Sequence, residues 1–143
     1  MFADAGYDYN PHPAIVPRTL LALELGEAAR GEGLHGAFHD AAMDAYWRDA
    51  RDLGDTAVLR DLAAVVGISA AGVARALDDR AYGAAVREST SWATRAGVDG
   101  VPAFVFDMRV LVLGAQAREV LAQAATQAAA AGRAEATQGA RGP

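Results

Sequence analysis

GVDGVPAFVFDMRVLVLGAQAREVLAQA, Gly97 to Ala124, is the stretch whose reading decides the fold. Ala103–Phe106 and Val110–Leu113 are unbroken apolar runs of Val, Phe and Leu, parted by Asp107, Met108 and Arg109. Runs of that length and composition with a polar break predict a hairpin of two buried strands. Pro102 stands directly before the first run. A proline has no N–H to give a ladder, so it is tolerated mainly at a strand's first residue. Gly114 ends the second run, after which Ala117, Val120, Leu121, Ala124, Ala125 and Ala128 fall on one face of a last helix.

Upstream the period is helical. Pro17 is placed to open a first helix, with Leu21, Leu25, Ala28 and Ala29 on one face and Gly31 and Gly33 at its end. A second helix is predicted from about Leu34 to Ala50, turning Leu34, Phe38, Ala41, Ala45 and Trp47 inward. Asp55 caps a third, with Val58, Leu59, Leu62, Ala63 and Val66 as its stripe and Gly67 as its stop. Ser69 caps a short fourth through Leu77. The fifth runs roughly from Asp79 to Ala96, with Tyr82, Val86, Ser89, Ala93 and Ala96 on one face. Residues 1–16 carry Pro11, Pro13 and turn-forming Gly6 and Asn10, which predicts an irregular linker. From Ala129 to Pro143 the composition is nearly all Ala, Gly, Arg, Gln and Thr, a low-complexity tail expected to fray. The organisation expected is therefore a linker over 1–16, a helical block over 17–96, a hairpin and helix over 97–128, and a tail over 129–143.

Composition removes several functions. At 143 residues and 52% hydrophobic content the chain is one domain's worth, able to bury a core without cross-links. A net charge of -5 gives no basic surface to neutralise phosphates, so nucleic acid is not expected as a partner. There is no cysteine, hence no disulfide, no thiolate and no zinc site of the cysteine type. No signal-peptide pattern opens the sequence, and no apolar stretch reaches the ~18 residues of a membrane span. The expectation is a cytoplasmic protein that does not enter membranes and needs no cofactor.

Three stretches in order, AYWRDARDLGDTAVLRDLAAVVGI in the helical block, GVDGVPAFVF at the proline and LVLGAQAREVL at the final helix, resemble the DsbA-like branch of the thioredoxin superfamily. Within it the chain is similar to FrnE-like proteins, near the 2-hydroxychromene-2-carboxylate isomerases. The resemblance covers Tyr9 to about Ala124. It implies an α/β protein with a partial thioredoxin-like fold: a helical insertion, then a β-hairpin and a C-terminal helix. In such proteins an early strand-helix-strand unit carries a Cys-x-x-Cys or Ser-containing motif, and these residues hold no counterpart of it. The chain is therefore expected to be truncated relative to the family and inactive alone, with no catalytic residue assigned.

The same resemblance implies a cis-proline loop at Val101 and Pro102, where the backbone before the proline pairs with a bound peptide or glutathione. Gly114, Ala115 and Gln116 are the next candidates for substrate binding, because free N–H groups at a helix start attract anions and the Gln amide can donate. Glutathione-dependent isomerases and kappa-type transferases tend to show Gly-x-Asp-Arg there. This chain reads Gly114-Ala115-Gln116-Ala117, which favours the thiol-disulfide branch. Three functions stay open: an oxidoreductase domain without its active motif, a glutathione-dependent isomerase or transferase, and a non-catalytic peptide- or thiol-binding module. The partner expected is a thiol-containing peptide or small molecule, with self-association through an exposed hairpin edge as a further consequence.

Other polar groups receive structural readings. His35 and His39 stand four apart on a helix near Asp40 and Asp44, a spacing able to hold a divalent metal, but an ordinary solvent face explains them and no metal site is assigned. Asp44, Asp49 and Asp52 read as a solvated face and Asp55 as a cap. Trp47 and Trp92 are expected to pack between helices. GEAARGEG, residues 26–33, is a helix end and not a phosphate loop.

Overall fold

The computed structural model describes Asp4, Gly6, Asn10 and residues 15–139, with side chains through Ala136. Pro11 and Pro13 lie outside the described residues, while Ile15 to Arg18 carry no regular structure. The chain is α/β, with six helices and a two-stranded antiparallel sheet among the described residues. It divides into two compact units, Met1–Ser89 and Thr90–Pro143.

The first unit holds α1 (Leu20–Gly31), α2 (His35–Trp47), α3 (Thr56–Val66), α4 (Ala70–Leu77) and the opening turns of α5 (Gly83–Arg95). α1 is the central element and packs on α2, α3 and α4. Its inward face is Ala22, Leu25, Ala28 and Ala29, all buried; three alanines in four positions let neighbouring helices approach closely. Phe38 fills the space over Gly26, whose missing side chain would touch the ring at 3.8 Å. Leu59, Leu62, Ala63, Val73, Ala76 and Leu77 complete this core from α3 and α4.

The caps are those the sequence predicts. The Asp55 side chain accepts from the Ala57 N–H and Gly67 closes α3 with a left-handed φ of 89°. Ser69 Oγ accepts from the Gly72 N–H at 3.0 Å. Boundaries differ where non-helical backbone intervenes. α1 starts at Leu20 rather than Pro17, α2 stops at Trp47 before Ala50 turns to φ 53°, and α5 starts at Gly83 because Arg80 takes φ 56°.

Both tryptophans correct the packing expectation: Trp47 and Trp92 are 42% and 36% exposed. Trp47 sits at the last position of α2 and meets Tyr46 edge-on, with ring centroids 4.7 Å apart.

Two polar contacts bind this unit across long sequence separations. Glu24 is fully buried on α1, and its Oε1 accepts from Arg80 Nε at 3.1 Å and Nη2 at 2.6 Å. Its Oε2 has no hydrogen-bond partner among the described residues. The hydrogen bond to Glu24 raises the Arg80 pKa above its ordinary value. The pair is asymmetric: the Arg80 side chain is 46% exposed, so it returns to water without its partner, whereas Glu24 cannot. Arg80→Ala is therefore expected to cost more than Glu24→Leu, because a buried Glu24 carboxylate that loses its counter-ion costs on the order of 3–5 kcal/mol. Urea melts of the two variants check this, and equal losses would contradict it.

The second contact joins α1 to α4. Glu32, the residue after α1, accepts from the Ser69 N–H at 2.9 Å and from its hydroxyl at 2.7 Å. Gly72 leaves room for this carboxylate, since a side chain there would collide with Glu32 Oε1. The Ser69 backbone bond, then the hydroxyl bond, hold the Glu32 carboxyl below its ordinary value of 4.5. A depressed carboxylate contributes stability that is present above the unfolded value and is lost as pH falls through the folded one. Glu32→Gln is thus expected to flatten the acid limb of stability against pH, measured by urea melts from neutral pH down to about pH 3. An unchanged acid limb would contradict it.

The second unit contains the end of α5, β1 (Ala103–Phe106), β2 (Val110–Leu113) and α6 (Arg118–Gly139). Gly97 follows α5 with φ 84°, and the Val98 N–H donates to the Ala93 carbonyl at 2.9 Å. The strands pair in register Ala103↔Leu113, Phe104↔Val112, Val105↔Leu111 and Phe106↔Val110. α6 packs against both strands, with Ala124 and Ala128 buried. The expectation of two buried strands is corrected: every strand residue is half-buried or exposed. With two strands and one covering helix of small side chains, this unit has too little apolar bulk to enclose them.

The tail is corrected as well. Residues 129–139, expected to fray, continue α6. Alanine is the strongest helix former, and a run of it outweighs the single Gly132. Arg109 adds an anchor: its Nη1 donates to Asp107 Oδ2 at 2.6 Å and its Nη2 pairs with Glu135. Gly132 lets the turn come close, since a side chain there would stand 3.0 Å from Asp107 Oδ2. The Glu135 hydrogen bond, with Asp107 and Glu135 charge behind it, raises the Arg109 pKa. Arg109→Ala is expected to speed amide hydrogen exchange over 129–139 while leaving 118–128 little changed. Exchange read by mass spectrometry checks this, and uniform exchange along α6 in both proteins would contradict it.

Candidate functional site

The open end of the hairpin is built by one backbone hydrogen bond. The Gly114 N–H donates to the Pro102 carbonyl at 2.8 Å, so Val101-Pro102 and Gly114-Ala115-Gln116 stand side by side. The sequence names these two groups separately and the ladder brings them together. The Val101-Pro102 peptide bond is cis. Val101 is 93% exposed, and Pro102, Ala115 and Gln116 are exposed around half-buried Gly114. Gly114 has φ 77°, the left-handed turn that swings the chain from β2 toward α6.

The same bond sets the parity of the ladder. In an antiparallel pair the residues that exchange hydrogen bonds alternate with those that do not. With Pro102 opposite Gly114 as a bonded pair, Phe104 and Phe106 turn their backbone groups toward β2. Ala103 and Val105 turn theirs away. No group among the described residues outside the hairpin is bonded to either of them. Sequence reasoning names the hairpin edge as exposed but not which residues turn their backbone groups outward, because parity depends on where the hairpin closes.

The helix start is less open to an anion than the sequence suggests. Gln116 Nε2 turns back to donate to the Leu113 carbonyl at 2.9 Å, and Glu119 already places negative charge in the first turn of α6. No charged side chain stands between Gly100 and Phe106 or between Val110 and Ala117. The surface at this end is apolar and backbone-rich.

At the other end of the hairpin the Arg109 N–H donates to the Phe106 carbonyl at 3.0 Å, with Asp107 and Met108 at φ 51° and 55°. Two successive positive φ values match the strand twist but strain a residue such as methionine. Met108 is 69% exposed, so little burial is lost by replacing it. Relief of a left-handed residue, about 1–2 kcal/mol, exceeds the roughly 0.5–1 kcal/mol of extra unfolded-state entropy of glycine. Met108→Gly is expected to raise stability slightly in a urea melt; a loss of stability would contradict it.

The histidine pair forms no comparable site. The His35 and His39 rings stack 6.4 Å apart, and Arg30 Nη2 lies 2.9 Å from His35 Nε2. A guanidinium only donates, so that nitrogen's lone pair is engaged. Asp44 and Asp49 pair with Arg48, Asp52 accepts from the Gly54 N–H, and Asp55 caps α3. No group of three or more His, Asp or Glu among the described residues is placed to hold a metal ion.

A helical block followed in the sequence by a proline-led hairpin and a helix packed on it is consistent with a partial thioredoxin-like fold. The family model of the DSBA-like thioredoxin domain matches residues 3–126, and the chain belongs to that family. No match was found among the curated proteins. Among the described residues no helix is long and apolar enough to cross a membrane.

Proposed function

We propose that this chain is the substrate-facing part of a FrnE-like thiol-disulfide oxidoreductase and that its own residues bind without performing the exchange. The observation that carries the reading is the pairing of two facts: no cysteine in 143 residues, and an outward row of backbone groups at Ala103 and Val105, without partners among the described residues, beside the exposed Val101-Pro102. Exchange needs an attacking thiolate, so the cysteine pair must come from outside these residues. What remains is a strand edge suited to an extended, thiol-containing peptide, in the manner of β-strand addition. Val101 and Pro102 form its apolar end, with Gly114, Ala115 and Gln116 beside them. A cytoplasmic setting and self-association through the same edge belong to this proposal.

The alternative of a glutathione-dependent isomerase or transferase is less well supported. Glutathione brings carboxylates, and at this helix start Gln116 is turned back on Leu113 and the charge of Arg118 is offset by the adjacent Glu119.

The purified chain is expected to show no insulin reduction above a heat-denatured control. It is also expected to bind a labelled, extended peptide with an S-methylated cysteine, read by fluorescence anisotropy. Val105→Pro removes an outward donor without breaking the ladder to β2 and should abolish that binding while the chain still folds. Insulin reduction by the chain alone, or equal peptide binding by Val105→Pro, would overturn the reading.

A further inference from the structure

We infer that Asp99-Gly100 is a site of spontaneous covalent rearrangement, where the aspartyl linkage isomerises to an isoaspartyl one and displaces Val101 as it does so. The rearrangement rests on the local geometry of two residues. Its consequence for peptide binding rests on the role proposed above for Val101-Pro102.

Such a reaction needs a following amide nitrogen that no hydrogen bond holds, a carboxyl group free to rotate onto it, and little bulk around both. Asp99 is the only aspartate of the chain that precedes a glycine. Both residues are exposed and lie between α5 and β1, outside any helix or strand. Among the described residues the Gly100 N–H donates to no acceptor, and the Asp99 carboxylate takes part in no hydrogen bond or ion pair. Nothing stands within 4 Å of the point where a Gly100 side chain would begin, so the amide is open to approach. Asp107 shows the contrast within the same unit: its carboxylate is tied to Arg109, and the bulkier Met108 follows it.

The chemistry uses only water. The Gly100 nitrogen attacks the side-chain carboxyl carbon of Asp99 in its acid form, and a cyclic imide closes as the amide hydrogen and the carboxyl hydroxyl leave as water. Water then adds back to the imide. Opening at the side-chain carbonyl restores the original linkage, whereas opening at the main-chain carbonyl routes the backbone through the aspartyl Cβ. Mass and charge are unchanged, but the backbone is longer by one methylene carbon.

That extra carbon falls between two fixed points. Upstream, the Val98 N–H is held by the Ala93 carbonyl at 2.9 Å; downstream, the Pro102 carbonyl is held by the Gly114 N–H at 2.8 Å. Only Asp99, Gly100 and Val101 lie between them, so the added length must be taken up there. Val101, 93% exposed and without packing to restrain it, moves. The binding end of the hairpin therefore loses its apolar first residue as the chain ages.

Warm incubation of the purified chain in neutral buffer, followed by peptide mapping with electron-transfer fragmentation, tests the inference. Isoaspartate should accumulate at Asp99 several-fold faster than at any other aspartate, with no change in intact mass. Gly100→Ala puts a methyl group beside the amide nitrogen, and the open space and ordinary φ at Gly100 let the fold accept it. Asp99→Glu keeps the charge but would have to close a larger, slower ring. Each variant should lower isomerisation at position 99 to the level of the other aspartates. Anisotropy with the labelled peptide should fall in the aged chain in proportion to its isoaspartate content, while fresh and aged samples of both variants bind alike.

Asp99 isomerising no faster than Asp107, or equally fast in Gly100→Ala, would overturn the inference. Isoaspartate that accumulates with peptide binding unchanged would overturn the displacement of Val101 and leave the functional reading standing. If the fresh chain does not bind the peptide, the functional reading fails and the binding consequence with it, whereas the peptide map alone still decides the rearrangement.

Discussion

A hairpin satisfies only one edge of each of its strands. That constraint governs the second unit of this protein. The ladder between β1 and β2 is set by the Gly114 to Pro102 bond, and every other property of the site follows from its parity: which amides face inward, which face outward, and which side chains flank them. α6 can shield the sheet by packing on it, but a helix lying on a sheet supplies no hydrogen bonds to a strand edge. The backbone groups of Ala103 and Val105 are what would make the apolar strip from Val101 to Phe106 a binding surface under the proposed function, and not merely exposed hydrophobic area.

The remainder of the unit holds that surface in place. Arg109 ties the turn at Asp107 to Glu135 on α6, and Gly132 allows the close approach. The helix start at Gly114 is packed back on itself through Gln116 and Leu113. In the first unit the work is separate: Glu24 with Arg80, and Glu32 with Ser69, join α1 to the segments around α4. Membership of the DSBA-like thioredoxin family explains why a helical block and a proline-led hairpin occur in one chain. With no cysteine, these residues supply no thiolate for exchange.

Much of this was legible in the sequence because it is local. Asp55, Gly67 and Ser69 announce helix ends through their own side chains or backbone freedom, and the two unbroken runs at 103–106 and 110–113 coincide with the strands. Val101, Pro102, Gly114, Ala115 and Gln116 could be named from the proline, the glycine and a family resemblance. What was illegible is non-local. Nothing near Glu24 in the sequence says that Arg80, 56 residues away, meets it. Nothing near Ala129 announces the Arg109 anchor, and composition alone favoured fraying over the helix that alanine prefers. Burial of Trp47 and of the strands was overestimated because apolar residue type was read as an inside position, without knowing how few neighbours the hairpin has.

The most direct test of the central claim is residue-resolved amide hydrogen exchange across β1 by NMR, on a dilution series of the unmodified chain. The account predicts slow exchange at Phe104 and Phe106 at every concentration. Ala103 and Val105 should exchange fast when dilute and slow down together as the chain is concentrated. Equal protection of all four amides in dilute solution would contradict it, because the β1 edge would then already be satisfied within one molecule.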